Sequence, residues 1–349
     1  MSVSYAKEYN YLYRSAYFLG RGDTGISEAD NEDAVFYNPA GLAQGKGIFK
    51  KIIIASPMIE ISQDTRDVIK QISVQNSDPT DTLRNRIGRP QHVGLNTVSG
   101  VILRRAAIGA FAHNSNTVLL YKDHTKGALE SLSMDSVADA GLFFSLAHDW
   151  RPQFLIGVTG KYLKRNQTYF HANASEASEL NNLESSDQLT MLGSGLGADL
   201  GMMYFTKGRT SYRIGLTVAD VGNTIMTPDE KTTLTYAKRP LKNINQTVNF
   251  GYSLSTSTRA SEFKFLFDYR DLMSNTDQHF SKKIHLGTEL KVKNFIGISG
   301  GVNQGLSTFG FFINFFLVRF DLGFYSEEVG DITGSRPDTR YFFRIYSGL

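Results

Sequence analysis

Residues 262–270 read EFKFLFDYR, and this stretch indicates the fold. Phe263, Phe265, Phe267 and Tyr269 alternate with residues that are mostly charged. A period of two is typical of a β-strand with one apolar and one polar face. The same alternation recurs in later segments, at residues 283–293, 317–327 and 338–347.

Similar runs predict about fourteen strands along the chain. We place them at residues 48–62, 91–103, 105–121, 135–150, 153–168, 188–206, 209–224, 243–257, 260–272, 283–293, 295–304, 306–315, 317–327 and 338–347. Short connections alternate with long ones, except for a short link near Gln304. An even number of strands, short turns at one end and long loops at the other are typical of an outer-membrane barrel. The predicted fold class is therefore all-β, an antiparallel transmembrane β-barrel. A soluble β-sandwich is the alternative, but it does not explain the alternation of loop lengths.

Composition limits the chemistry of the chain. Its 349 residues include no Cys, which excludes disulfides and thiolate chemistry. The 37 basic and 34 acidic residues are interspersed, so we expect no nucleic-acid partner. The longest apolar run, 309–318, is about half the ~20 residues that a membrane-spanning helix needs. The amino terminus lacks the features of a secretory signal, so for an outer-membrane protein we expect that the signal peptide has been removed.

The first 46 residues do not alternate, yet they are rich in aromatic residues that need a place to pack. We predict that residues 1–46 form a hatch inside the barrel and that residues 47–349 form the barrel itself. Residues 20–26 are rich in glycine, and residues 32–43 read EDAVFYNPAGLA.

These segments resemble the outer-membrane FadL/TodX family, which has an acidic pair and a Tyr-Asn-Pro-Ala-Gly-Leu signature. Asn38, Pro39 and Ala40 match its NPA motif. Residues 220–224 and 300–305 are similar, less specifically, to PorV-like and TraF-like relatives. The resemblance implies a hatch-plugged barrel that captures hydrophobic molecules outside and passes them through a side opening. The founding members of the family carry long-chain fatty acids and aromatic hydrocarbons.

The long loop at residues 63–90 is predicted to be external and to contain an amphipathic helix followed by a turn. By analogy with the family, its apolar residues are candidates for a capture site: Val68, Ile69, Ile72, Leu83 and Ile87. A helix pair that merely caps the barrel is equally compatible with the pattern.

The polar faces of the last strands are predicted to line the lumen with charge. The candidate residues are Glu262, Lys264, Asp268, Arg270, His285, Glu289, Arg319, Asp321 and Arg344. Such a cluster could meet a ligand carboxylate, or it could be a structural network of ion pairs.

Neither catalysis nor metal binding is predicted. The seven His residues form no compact motif with acidic residues, and no Gly-x-Ser-x-Gly sequence precedes a helix. We therefore expect no enzyme activity, no metal and no cofactor.

The predicted function is passive, hatch-gated uptake of small hydrophobic or amphipathic molecules, fatty-acid-like or aromatic, across a Gram-negative outer membrane. The expected partners are membrane lipid and a small apolar ligand, and we expect a monomer. One alternative is a PorV-like barrel whose external loops hold a secreted or surface protein. A general polar pore is another alternative, and it requires residues 1–46 to leave room for water.

Overall fold

A computed structural model gives the fold of the chain and describes residues 8, 11–44, 49–75, 86–123, 129–173, 190–229, 241–276, 278–293, 295–315 and 317–348. Fourteen antiparallel strands form a closed barrel, which confirms the predicted fold class. In chain order the strands are β1 (Phe49–Ala55 and Met58–Ser62), β2 (Pro90–Leu103), β3 (Ala106–Asp123), β4 (Leu129–Arg151), β5 (Phe154–Asn173), β6 (Thr190–Phe205), β7 (Thr210–Ala219), β8 (Thr247–Ser257), β9 (Ser261–Tyr269), β10 (Ile284–Val292), β11 (Ile296–Asn303), β12 (Leu306–Phe315), β13 (Val318–Glu328) and β14 (Pro337–Gly348).

The barrel closes because β1 pairs with both β2 and β14. The two segments of β1 are separated at Pro57, which has no backbone N–H to donate to the ladder. A two-residue strand, Thr227–Pro228, also pairs with β6.

The helices are short, apart from the one in the first long loop. They are α1 (Ala16–Leu19), α2 (Asn31–Tyr37) and α3 (Gln63–Gln75), with 3-10 helices at Pro39–Ala43 and Phe280–Lys283. Among the described residues, no helix has the length and apolar character to span a membrane.

The two faces of each strand differ as the alternation predicts. On β9 the residue Phe263 is 51% exposed on the outside of the barrel, whereas Lys264 and Asp268 are buried inside it. On β4 the exposed apolar residues lie near the end with the short turns, from Leu142 to Trp150. We assign this outer band, about nine residues long, to the hydrocarbon of the membrane.

Five predicted boundaries differ from the structure by three residues or more. Strand β5 ends at Asn173 rather than 168, β8 begins at Thr247 rather than 243, and β9 ends at Tyr269 rather than 272. Strand β4 begins at Leu129 rather than 135, because its pairing with β3 continues to Asp123. Strand β7 ends at Ala219 rather than 224, because Asp220, Gly222 and Asn223 have positive φ and turn the chain out of the strand.

Residues 11–44 lie inside the barrel and are mostly buried. Their apolar side chains, such as Phe18, Val35 and Leu42, pack against inward residues of the wall, such as Phe111 and Leu163. We refer to residues 11–44 as the hatch segment. Residues 45–48 and most of residues 1–10 lie outside the described residues, so the predicted boundary at residue 46 stays a prediction.

Candidate functional site in the barrel lumen

Asn38 fixes the turn between α2 and the following 3-10 helix. Its backbone is extended, with φ −161° and ψ 99°, and its side-chain oxygen accepts a hydrogen bond from the Ala40 N–H at 3.2 Å. Its side-chain amide donates to the carbonyl oxygens of Ile26, at 2.8 Å, and Met202, at 3.1 Å. Pro39 begins the 3-10 helix, a position that needs no N–H donor. Asn38 therefore joins two parts of the hatch segment to strand β6.

Glycines on the inner wall allow the hatch segment to approach closely, and sequence analysis missed this feature. A Cβ on Gly157 would lie 2.4 Å from the Pro39 carbonyl carbon, and one on Gly201 would lie 2.2 Å from the Asn38 side-chain oxygen. The wall glycines that meet the hatch segment in this way are Gly157, Gly201, Gly215, Gly251, Gly287, Gly301 and Gly310. We refer to them as the glycine row. The sequence feature that could have predicted the glycine row is an inward-facing glycine on each of several strands.

Ion pairs attach the hatch segment to the opposite part of the wall. Arg21 pairs with Glu289 on β10 at 2.9 Å, and Asp23 pairs with Arg270, just after β9, at 2.9 Å. Burial opposes ionisation of Asp23, but Arg270 and Arg14 hold its pKa below the usual value.

Two further contacts complete this attachment. Glu28 in the hatch segment pairs with Lys264, and the Asp268 carboxylate accepts the backbone N–H groups of Gly25, at 2.7 Å, and Ile26, at 3.1 Å.

The structure brings the nine candidate charged residues into two groups. Lys264, Asp268, Arg270 and Glu289 contact the hatch segment as described above, and the His285 ring contacts the Gly22 carbonyl oxygen at 3.0 Å. Arg319 and Arg344 share Asp321, at 2.7 and 2.9 Å. Glu262 lies 3.8 Å from Lys264 and 3.5 Å from Lys291. All nine belong to the lumen, and most of them are already paired.

The candidate capture residues are only partly described. Val68 is buried and Ile69 is exposed, both on α3, and Ile87 is half-buried after the helix. Ile72 lies on α3, but its side chain is outside the described residues, as is all of Leu83. None of the three described side chains lines a lumen cavity.

An external cavity of about 260 Å³ lies on the long-loop side of the hatch segment. Its apolar lining includes Tyr11, Tyr13, Phe36 and Ile244. Its polar lining includes three asparagines from β8 and the loop before it, Asn243, Asn245 and Asn249. Four charged residues, Glu8, Lys161, Asp220 and Arg270, also line it, so the cavity joins aromatic walls to many polar groups. A cavity with both kinds of wall can hold a small molecule.

A larger cavity of about 750 Å³ lies on the short-turn side, and we refer to it as the vestibule. Helix α2 separates the two cavities, since Phe36 and Tyr37 line the external cavity whereas Glu32 and Asp33 line the vestibule. Burial and the neighbouring charge of Asp33 raise the pKa of Glu32 to about 7. Burial also raises the pKa of Asp33, whose carboxylate accepts a hydrogen bond from the Tyr13 hydroxyl at 2.9 Å.

The barrel wall is interrupted between β6 and β7, beside the external cavity. Regular pairing runs from Phe205↔Arg213 to Leu200↔Val218, and resumes at Ser194↔Thr227 and Gly193↔Pro228. In between, the Val221 N–H donates one backbone hydrogen bond to the Ala198 carbonyl oxygen at 2.8 Å. Between these points the chain leans over the inner face of β6, where a Cβ on Gly195 would lie 2.8 Å from the Met226 sulfur. Two apolar residues at the interruption are exposed, Leu196 at 75% and Ile225 at 64%.

Within the described ranges, no group of three or more His, Asp and Glu residues is arranged to hold a metal ion. Several acidic residues of this half of the barrel are used in ion pairs. Asp139 pairs with Arg165 at 2.7 Å, and Lys161 bridges Asp199, at 2.8 Å, and Asp220, at 3.1 Å.

Solved structures resemble this barrel over nearly its whole length. One is the CymD monoaromatic hydrocarbon channel, with 11% identity, a TM-score of 0.54, and coverage of 97% of this chain and 98% of CymD. The chain has the fold of the FadL-family channels. Another is the Ralstonia pickettii toluene transporter TbuX, with 10% identity, a TM-score of 0.50 and the same coverage of both chains. No family model and no curated protein matches the sequence. The resemblance in sequence is thus borne out at the level of the FadL-type fold, whose members are outer-membrane proteins.

Proposed function

We propose that the protein is an outer-membrane channel for passive uptake of small hydrophobic or amphipathic molecules, gated by the hatch segment. The observation that carries the proposal is the position of α2 between an aromatic-lined external cavity and the vestibule. A ligand in the external cavity is separated from the vestibule by a short helix rather than by the wall. Movement of α2 is therefore the smallest change that would connect the two cavities.

The external cavity favours a small ligand with a polar group. At about 260 Å³ it suits a single aromatic ring or a short chain better than an extended long-chain fatty acid. The lining places the charged residues Glu8, Lys161, Asp220 and Arg270 beside its aromatic rings, and a pure hydrocarbon would form no hydrogen bond with them. A ring or short chain with a hydroxyl or carboxyl group would offer them a polar partner.

The interruption between β6 and β7 is the proposed side opening. Ala219, Asp220 and Ile244 line the external cavity and lie next to it. Release there would deliver an apolar molecule into the membrane, beside Leu196 and Ile225. Conformational change of the 220–229 segment, rather than unpairing of a full strand, would be enough.

Native mass spectrometry of the purified protein, with extraction of co-purified lipid, tests this function. We expect a stoichiometric apolar or amphipathic ligand in the wild type, less in Asn38→Ala, and none after deletion of residues 1–46. Lys207→Gln, in an exposed turn far from the external cavity, is the matched control and should retain the ligand. A barrel that is consistently empty and retains a protein partner would contradict the transport proposal.

A second candidate function, a barrel that holds a protein partner, is favoured by exposed apolar residues on the external loops. Phe280 is 63% exposed, Met273 is 64% exposed and Ile332 is 51% exposed. The loops that carry them touch, because the Thr333 hydroxyl donates to Ser281 at 2.8 Å. Adjacent exposed apolar residues are typical of a protein-binding surface. A general polar pore is less well supported, because the hatch segment packs against the inner wall.

A further inference from the structure

The short turns of the barrel carry an excess of positive charge. They join consecutive strands at residues 104–105, 152–153, 206–209, 258–260, 293–295 and 316–317. Over the described residues of these turns and the last three residues of β4, there are seven basic residues and one acidic residue, Asp149. The basic residues are Arg104, Arg105, Arg151, Lys207, Arg209, Arg259 and Lys293. We refer to these seven as the basic rim.

Most of the basic rim is not neutralised by the protein. Asp149 forms ion pairs with Arg104, at 2.6 Å, and with Arg105, at 2.9 Å. Within the part of the chain that the structure describes, the other five residues of the rim have no carboxylate partner, and all five are exposed. Clustered exposed cations attract anions to the surface that carries them.

Backbone hydrogen bonds hold the short turns beside one another. The Ala147 N–H donates to the Arg105 carbonyl oxygen at 2.8 Å, and the Phe205 N–H donates to the Gln153 carbonyl oxygen at 3.0 Å. Each bond joins one short turn to the next hairpin. The cations of the rim are therefore carried by neighbouring turns at one end of the barrel.

Aromatic residues at the same end indicate where the membrane surface lies. Trp150 ends the outer apolar band of β4 and is 64% exposed. The rings of Tyr204 and Tyr212 lie 6.2 Å apart, and those of Phe295 and Phe315 lie 5.7 Å apart, near the ends of their strands. Aromatic residues at both edges of the apolar band are typical of a membrane barrel, where they lie at the level of the lipid headgroups. The basic rim thus begins where the hydrocarbon ends.

A cleft on the outer face of the barrel joins these two features. It has a volume of about 560 Å³, and we refer to it as the Trp150 cleft. The rings of Trp150, Phe154 and Tyr204 line it, together with Arg151 and Gln153. The Tyr204 hydroxyl donates to the Gln153 side-chain oxygen at 3.4 Å. The Trp150 cleft therefore combines an apolar wall with one cation that has no carboxylate partner among the described residues.

We propose that the Trp150 cleft binds an anionic phospholipid of the membrane leaflet at the short-turn end. The lipid phosphate lies at Arg151, because a guanidinium matches the geometry of a phosphate. The glycerol and the first part of an acyl chain lie against Trp150, Phe154 and Tyr204. A lipid is the occupant, rather than a free anion, because the cleft adjoins the apolar band.

The charge of the rim gives the cleft a preference among lipids. A zwitterionic lipid carries its own cation beside the phosphate, and the surrounding rim repels that cation. A phosphatidylglycerol headgroup has a net negative charge and no such cation. This proposal is independent of the proposed function, because the Trp150 cleft lies outside the barrel and apart from both lumen cavities.

Tryptophan fluorescence tests the proposal directly, because Trp150 is the only tryptophan in the chain. The protein is reconstituted in bilayers of phosphatidylcholine and phosphatidylglycerol, and one lipid at a time carries brominated acyl chains that quench the fluorescence. We expect quenching to show at least a fivefold preference for phosphatidylglycerol. Arg151→Gln should reduce the preference about fivefold, because one Arg near an anionic surface contributes about 1 kcal/mol. Arg151→Lys keeps the charge and should retain most of the preference.

Arg259→Gln is the matched control, since it removes one cation of the rim outside the Trp150 cleft. Its preference should equal that of the wild type. Three results would overturn the proposal. They are equal quenching by the two brominated lipids, a wild-type preference in Arg151→Gln, and equal losses in Arg151→Gln and Arg259→Gln, which would mean diffuse attraction by the whole rim.

Discussion

The hatch segment is attached to the wall in two different ways. On one side the backbone of Pro39 lies directly on Gly157 of β5, and the side chains of Asn38 and Pro39 lie on Gly201 of β6. On the other side Arg21, Asp23 and Glu28 reach the wall through ion pairs. Close packing of neutral groups is lost with any displacement, whereas a charged group can exchange its partner for water or an anion. Glycines of β10 and β11 meet the hatch segment just as closely, since a Cβ on Gly287 would lie 2.2 Å from the Arg21 carbonyl oxygen. The β5–β6 side, which we call the anchored side, thus depends on the close packing of neutral groups, whereas the β10 side combines close packing with ion pairs.

Gly157→Ala should have the largest effect, because it removes the close approach on the anchored side. The new methyl group would meet the Pro39 carbonyl carbon at 2.4 Å and the Ala40 nitrogen at 2.5 Å, and neither is a flexible side chain. We expect a loss of about 3 kcal/mol in the free energy of unfolding, as for an overpacked core. Urea unfolding, followed by the electrophoretic shift of the folded barrel, measures it.

Gly160→Ala on the same strand is the control for this prediction. Its Cβ would come no closer than 4.0 Å to any neighbouring atom, so stability should be unchanged or slightly higher. Equal losses in the two variants would show that the glycine row is not an anchor.

Asn38→Ala should have a smaller effect on the same side. The substitution removes a cap on the 3-10 helix and two side-chain bonds to carbonyl oxygens, but it adds no atom that must be accommodated. We expect a loss of about 2 kcal/mol in the free energy of unfolding and faster proteolysis of the hatch segment. Proteolysis at the wild-type rate would mean that the glycines alone hold this turn.

The vestibule side should respond to pH, with a smaller effect than either substitution for each step of one pH unit. The folded-state pKa of Glu32 is about 7, above its usual value of 4.5, so the folded protein retains a proton that the unfolded chain has lost. The free energy of unfolding should therefore fall as the pH rises from about 4.5 to 7, by at most ~1.4 kcal/mol per pH unit for one proton. Lys51 and Arg344 oppose the shift, and Asp33 strengthens it.

Glu32→Gln should flatten this profile, and unfolding curves at pH 5, 6, 7 and 8 would test it. Asp33 also titrates in a buried position, so a small slope should remain in the variant. A wild-type profile that is flat from pH 5 to 8 would contradict the buried state of this pair.

Much of the barrel was predictable because membrane strands must alternate between lipid and lumen. This constraint gives a clear pattern on β9 to β14. On β9, for example, Phe263 faces outward and Lys264 faces inward. The pattern is weaker on the outer half of β4, since Met134 and Val137 point to opposite faces there, and the prediction started that strand too late. The end of β7 at Ala219 depends on backbone conformations that alternation does not report.

The lumen was harder to predict than the wall. Charged residues such as Asp268 and Arg344 could be placed inside, but their partners depend on the register between strands and on the path of the hatch segment. Glycines 157 and 201 pair across β5 and β6, a relation that cannot be seen without that register. The NPA motif was visible in sequence, whereas the surface that receives it was not.

Because the strands differ in length, the two sides of the barrel differ in height. Strands β3, β4 and β5 have 18, 23 and 20 residues, but β9 to β12 have only 8 to 10. Because the outer apolar band of β4 ends near Leu142, its first 13 residues extend about 40 Å along the strand beyond that band. Strands β3 to β5 therefore form a high rim on one side of the barrel mouth, and the rim is low on the side of β9 to β12. The mouth is therefore open to the side, over the ends of β9 to β12, as well as along the barrel axis.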